Sequence, residues 1–154
     1  MQKLSQIGSL LKKIYRQYSS DVLDDLQSQG FLDLRPSFLE ILMYLSDHSG
    51  SSIKVIGESC GLKKQTMTSH LNELEKRGYV IRKTNEKDRR EQVVILTDYG
   101  EKFRYALQKV VEKQEARYLE RVGEVELDRV LHTLENLHTK MSVKESSSEQ
   151  QLLI

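Results

Sequence analysis

"IGESCGLKKQTMTSHLNELEKRGYVIR", residues 56–82, contains the two helices and the turn that decide the fold. A short helix ends near residue 60, and Gly61 predicts a tight break after it. A longer helix is predicted over 64–77, with Gly78 as its C-terminal stop. Its apolar positions fall on one side, at Met67, Leu71 and Leu74. Two short helices around a glycine-containing turn are typical of a helix-turn-helix.

The stretch that follows predicts two strands around a charged tip. "YVIRKT" (79–84) and "EQVVILT" (91–97) have the composition of strands, and "NEKDRR" (85–90) lies between them. The cations of the tip have little to fold against, which favours a role in contacting a partner. These cations are Lys87, Arg89 and Arg90. The residues expected to anchor the hairpin to the core are Val93, Ile95 and Leu96.

Amphipathic helices are predicted on both sides of this region. Residues 4–28 place apolar side chains three or four positions apart, and Pro36 fits the first turn of the next helix. Thr97 begins a further helix to about residue 121, and 122–141 predicts the last one. Their apolar stripes need more surface to cover than a small central domain offers.

Composition bounds the class of protein. The chain has 154 residues, 31% of them charged and 6% aromatic, which is typical of a soluble, helix-rich protein. No apolar run is long enough for a membrane span, and the single Cys60 favours a reducing cytoplasm. The net charge is only +1, yet residues 63–90 hold nine basic and four acidic side chains. A local basic patch on a near-neutral chain indicates a directed anionic partner.

This order of elements resembles the winged-helix regulators of the multiple-antibiotic-resistance regulator (MarR) family over about residues 4–141. The most specific part is "NEKDRREQVVILTDYGEKF" (85–103), with its Asp-Arg-Arg run. The resemblance implies a mainly α fold with a small β-hairpin wing, a winged helix-turn-helix with N- and C-terminal dimerisation helices. The expected parts are a dimerisation helix (1–34), the DNA-binding domain (35–100), C-terminal dimerisation helices (101–141) and a flexible tail (142–154).

The candidate DNA-binding side chains lie on the second helix and on the tip. Short polar residues opposite the apolar side of the helix can reach base edges, whereas cations at its start oppose the helix dipole unless an anion arrives. The resemblance implies that Arg90 enters the minor groove and that Asp88 braces it. Bases are assigned to Gln65, Thr68 and Ser69, and phosphates to Lys63, Lys64, Thr66 and Arg89. Asn72 and Lys87 are further DNA-binding candidates.

The resemblance also implies a symmetric homodimer on an inverted repeat of double-stranded DNA, with half-sites ~34 Å apart, and a small aromatic or acidic effector. The dimer-interface candidates are Leu4, Ile7, Leu11, Leu127, Leu131, Leu134 and Met141, of which the last four equally suit an intrachain core. The effector candidates are Tyr15, Tyr18, Tyr44 and Tyr105, although packing between helices is the commoner role of tyrosines at such positions.

The expected function is a sequence-specific DNA-binding transcription regulator, acting as a repressor. The sequence has no glycine-rich phosphate loop, nucleophile elbow or paired catalytic carboxylates, so an enzyme is not expected. His132 and His138 are six positions apart, which is not the spacing of a metal pair, and no cofactor is expected. Cys60 suits a core position as a small hydrophobe. Two alternatives remain open: a winged-helix adaptor that binds proteins instead of DNA, and a redox or metal sensor of the same fold.

Overall fold

Six helices and three short strands make up the described part of the computed structural model, which covers residues 2–143. In chain order they are α1 (Lys3–Ser28), α2 (Pro36–Asp47), β1 (Ser51–Ser52), α3 (Ile53–Cys60), α4 (Lys64–Lys76), β2 (Val80–Thr84), β3 (Gln92–Leu96), α5 (Asp98–Val122) and α6 (Glu124–Ser142). The chain forms two units, Met1–Gln114 and Glu115–Ile154. Within the described range no helix is long and apolar enough to span a bilayer. The expected flexible tail lies, from residue 144 onward, outside the described residues.

The core of the first unit is built from α2, α4, the sheet, the end of α1 and the start of α5. The apolar side of α4 is confirmed, because Met67, Leu71 and Leu74 are at most 1% exposed. Each such side chain stabilises the fold by about 1.5–3 kcal/mol on burial. In the second unit, α6 buries none of its described side chains.

The sheet has a third strand that the sequence did not predict. β1 pairs with β3, β3 pairs with β2, and both pairings are antiparallel. β1 is only two serines long, and its composition is that of a loop. The prediction of which β3 residues anchor the hairpin was also partly wrong: Val94 and Leu96 are buried, whereas Val93 and Ile95 are half-buried. The buried Val80 lies opposite Leu96, and this pair sets the face of the strand that points inward.

The start of α5 crosses the beginning of β2 at very short range. The Tyr79 side chain is fully buried, and its hydroxyl donates to the Asp33 carboxylate at 3.0 Å. The Thr97 N–H donates to the Tyr79 carbonyl at 3.1 Å, and the Thr97 hydroxyl accepts from the Gly100 N–H at 3.0 Å. A Cβ on Gly100 would lie 2.2 Å from the Tyr79 carbonyl oxygen. We call this crossing the hairpin base, formed by Tyr79, Thr97 and Gly100.

Replacing Gly100 with alanine is expected to destabilise the protein. The added methyl group would meet backbone, which cannot move aside as a flexible side chain would, and such overpacking costs about 1–3 kcal/mol. The measurement is the free energy of unfolding in urea. Lys102→Ala is the control, because Lys102 is exposed in the same helix. Equal unfolding midpoints for the two variants would contradict the close approach.

Candidate nucleic-acid interface

Helix α4 begins without the cap that usually stabilises a helix start. Lys63 occupies the N-cap position, its side chain makes no capping hydrogen bond, and the first turn contains no acidic residue. Lys63 and Lys64 are both exposed. Each ammonium group opposes the helix dipole at a cost of about 0.3–1 kcal/mol. Free N–H groups and two cations therefore meet at this end, which favours the binding of an anion such as phosphate.

The outward side of α4 carries the polar residues predicted to reach bases. At 100° per residue they lie within a sector of roughly 100° that faces away from the buried side. The Thr68 hydroxyl donates to the Lys64 carbonyl at 3.0 Å, so its lone pairs are the part left for an external donor. All the residues of this polar sector are exposed: Gln65, Thr68, Ser69 and Asn72.

Arg82, which the sequence analysis did not single out, ties strand β2 to this sector. Its Nη2 donates to Asn72 Oδ1 at 2.8 Å, and its Nε and Nη2 donate to Glu75 Oε2 at 2.9 and 2.7 Å. A guanidinium group only donates, so Asn72 must turn its oxygen toward Arg82 and its NH₂ group away. The available signal was the position of Arg82 in the strand, but pairing across β2 and α4 is not visible in sequence spacing.

The wing tip, residues 85–91, is closed by its own hydrogen bonds. Asn85 accepts from the Lys87 N–H at 3.0 Å, and the Asn85 N–H donates to the Glu91 carbonyl at 2.9 Å. Asp88 Oδ1 accepts from the Arg90 N–H at 3.1 Å and from Arg90 Nε at 3.3 Å. The Arg90 side chain is nevertheless 93% exposed. The tip therefore holds the Arg90 side chain through its Nε atom and leaves the two terminal nitrogens of the guanidinium group available to a partner.

The start of α4, with Thr68 of the polar sector, and the wing tip border the same groove. It has a volume of about 600 Å³ and lies between α3, α4 and the hairpin. Lys64 and Thr68 line it from the helix, and Arg82 and Arg90 line it from the hairpin. Basic side chains from the start of α4 and from the hairpin therefore converge on one concave surface, which Glu58 and Glu91 also line.

Arg77 belongs to the fold and not to this surface. It donates to the Asp33 carbonyl, and its guanidinium group lies 3.5 Å from Glu73 Oε2. Its Cζ also stands 5.1 Å from the centre of the Phe38 ring. These contacts join α4 to α2 and to the loop before it, so Arg77 is occupied within the protein.

Three of the four tyrosines predicted to line an effector site border a second groove, which has a volume of about 340 Å³. These are Tyr15, Tyr18 and Tyr44, from α1 and α2. Tyr105 lies elsewhere: it is 65% exposed on α5, and the Lys109 ammonium group stands 5.4 Å from its ring centre. Cys60 also lines the second groove and is half-buried instead of lying in the core. Burial, and then the nearby Glu40, raise the pKa of its thiol to about 11, which leaves the thiol protonated and unreactive.

The dimer candidates remain uncovered in the single chain. In the first unit, Leu4 is 59% exposed, and Ile7 and Leu11 are also exposed. In the second unit, Leu131 and Met141 are exposed, and Leu127 and Leu134 are half-buried. The alternative that the four α6 candidates form an intrachain core is therefore wrong for Leu131 and Met141, because both are exposed. No group of three or more potential metal ligands occurs within residues 2–143.

The known proteins to which this chain is similar are transcriptional regulators. A sequence profile of the MarR family matches residues 39–91. The transcriptional regulator SarZ of Staphylococcus aureus (strain MRSA252) is 28% identical over 130 residues, which cover 84% of this chain and 81% of SarZ. A MarR transcriptional regulator from Methanosarcina mazei Go1 has a TM-score of 0.75 at 21% identity, covering 88% of this chain and 96% of that one. The repressor CouR, bound to a 23-mer DNA duplex, has a TM-score of 0.67 at 25% identity, covering 90% and 99%.

Proposed function

The chain belongs to the MarR family of winged-helix transcriptional regulators, and we propose that it binds a specific double-stranded DNA site as a homodimer and represses transcription by occluding it. The observation that carries this proposal is the groove shared by the start of α4 and the wing tip, with cations on both sides. A DNA duplex can be contacted by both elements at once, because it offers a major groove for α4 and phosphates or a minor groove for the wing tip.

Each part of the surface has a role that fits its chemistry. Gln65, Thr68 and Ser69 contact bases in the major groove, because they are short, polar and exposed on α4. Arg90, braced by Asp88, enters the minor groove, whose narrow A·T-rich stretches attract arginine. Phosphates are bound by Lys63, Lys64, Thr66, Lys87 and Arg89. The structural similarity to CouR, a repressor bound to a DNA duplex, supports double-stranded DNA as the partner.

The proposed dimer is supported by the uncovered apolar side chains on α1 and on α6. Exposed leucine, isoleucine and methionine side chains are unfavourable in contact with water, and a second copy of the chain can cover them. A twofold axis would then place two α4 helices on successive turns of one DNA face, ~34 Å apart. The operator is therefore expected to be an inverted repeat.

An effector that shifts DNA affinity would bind in the second groove, beside Tyr15, Tyr18 and Tyr44. Ligand control requires different affinities for two arrangements of the recognition helices. The groove borders α2 and α3, and both helices contact α4: the Phe38 ring lies 5.1 Å from His70, and a Cβ on Gly57 would lie 3.0 Å from Met67. An occupant of the groove is thus one helix away from the DNA-reading element.

DNA binding is first tested by selecting bound duplexes from a random pool and titrating the selected site at several salt concentrations. Phosphate neutralisation makes log K fall linearly with log salt. An adaptor that binds proteins would select no duplex, and an apolar protein interface would respond weakly to salt. The selected sequence also reports symmetry and half-site spacing.

Arg90→Ala is expected to weaken operator binding by about 1–3 kcal/mol, because it removes the guanidinium group from the wing tip. The measurement is operator affinity at fixed salt. Arg104→Ala is the control, since Arg104 is an exposed arginine on α5 paired only locally with Glu101. Unchanged affinity of Arg90→Ala would refute the minor-groove assignment.

Arg82→Met is expected to change which base is preferred opposite Asn72. The wild-type contact fixes the amide plane, so Asn72 donates from its NH₂ group and does not pair with adenine through two bonds. The variant frees the amide to rotate, and adenine should become enriched at that position in the random-pool selection. Lys83→Met, an exposed neighbour in β2, is the control. The enrichment should vanish in Arg82→Met/Asn72→Ala; identical preferences in all variants would exclude this role of Arg82.

Leu131→Glu is expected to convert the dimer into a monomer, because a carboxylate would replace an apolar contact in the proposed interface. The measurement is molecular mass in solution by sedimentation. Asn136→Glu, on the opposite side of α6, should remain a dimer. A monomeric wild-type protein, or a fully dimeric Leu131→Glu variant, would contradict the assignment of α6.

A further inference from the structure

The second groove carries an unbalanced negative charge. Glu40 and Asp47 both line it, whereas no lysine or arginine does. Within residues 2–143 neither carboxylate forms an ion pair. Burial raises the pKa of Glu40, and a hydrogen bond from the Tyr15 hydroxyl partly offsets this increase. A nearby cation stabilises the charged form of a half-buried carboxylate of this kind.

The walls of the groove are aromatic. Tyr15 and Tyr18 line it from α1, and Tyr44 lines it from α2. The His48 ring stacks on Tyr44, with the ring centres 4.5 Å apart and an angle of 15° between the planes. Aromatic faces attract cations within about 6 Å of the ring centre, especially quaternary ammonium groups. Tyrosine rings and unpaired carboxylates therefore favour the same ligand class.

The thiol in the groove does not alter this balance. Because Cys60 stays protonated, it adds neither charge nor a nucleophile. An acidic ligand would face two carboxylates and no basic side chain other than the imidazole of His48, which already lies against Tyr44. The groove thus disfavours the acidic aromatic effectors that the family resemblance suggested.

We propose that this groove binds an organic cation with an aromatic or alkyl body, its charge beside Glu40 and its apolar part against the tyrosine rings. The inference rests on the proposed function only in making that cation the effector. Binding to the groove itself can be measured on the DNA-free protein.

The test is calorimetric titration of the full-length protein with benzyltrimethylammonium and, separately, with phenylacetate, an anion of similar size. The cation is expected to bind, and phenylacetate is expected to bind at least about tenfold more weakly, a difference of ~1.4 kcal/mol. Equal or tighter binding of phenylacetate, or the absence of any cation binding, would overturn the proposal.

Two pairs of variants locate the site. Glu40→Gln keeps the shape of the side chain and removes its charge, so affinity for the cation should fall about tenfold or more, a loss of ~1.4 kcal/mol or more. Glu112→Gln, an exposed carboxylate on α5 outside the groove, should have no effect. Tyr44→Phe should retain binding and Tyr44→Leu should weaken it, because only the former keeps the aromatic face. An unaffected Glu40→Gln variant would place the cation elsewhere.

Operator titrations separate this proposal from the proposed function. Without the cation, Glu40→Gln should bind DNA like the wild type, since Glu40 lies outside the DNA-contacting surface. If the wild-type protein binds the cation but no DNA, the proposed DNA-binding function is refuted and the assignment of the cation to the second groove stands. If DNA binds but the cation leaves its affinity unchanged at saturation, the groove is not the effector site.

Discussion

The hairpin base is the constraint on which the rest of the structure depends. Tyr79 is buried at the start of β2, and Thr97 and Gly100 close on its backbone from the end of β3 and the start of α5. This contact fixes both ends of the hairpin against the core. Arg82 then ties the middle of β2 to α4. A thin two-stranded projection would be marginal in water, yet here it is held at two levels and can carry Arg90 at a defined place.

The proposed DNA surface is also where local rules of stability are broken. α4 has lysines where a helix normally has Asp, Ser or Thr, and the wing tip leaves Arg90 almost wholly exposed. By contrast, α3 follows the rule, since Ser52 caps it by accepting from the Val55 N–H at 3.1 Å. Departures of this kind are expected where a partner supplies the missing charge. The neighbouring Arg77 shows the opposite case, a cation whose partners are all within the protein.

The sequence was sufficient for elements with strong local signals. Apolar spacing identified the buried side of α4, and the family resemblance carried by the Asp-Arg-Arg run implied the contact between Asp88 and Arg90. It failed where the decisive partner is distant along the chain. β1 consists of two serines that become a strand only by pairing with Val93 and Val94. The inward face of β3 depends on the pairing of Leu96 with Val80, and Arg82 finds its partners on another element.

The second groove shows why family resemblance does not determine a ligand. The fold brings α1, α2 and α3 together and thereby provides the space, but the side chains that line it decide the charge of what can enter. Here Glu40 and Asp47 have no cationic partner in the described chain, and three tyrosine rings stand beside them. An acidic molecule would have to overcome that charge, whereas a cation neutralises it. Under the proposed function, the same scaffold can couple DNA release to chemically opposite signals, because the helices would carry the coupling and a few side chains would set the selectivity.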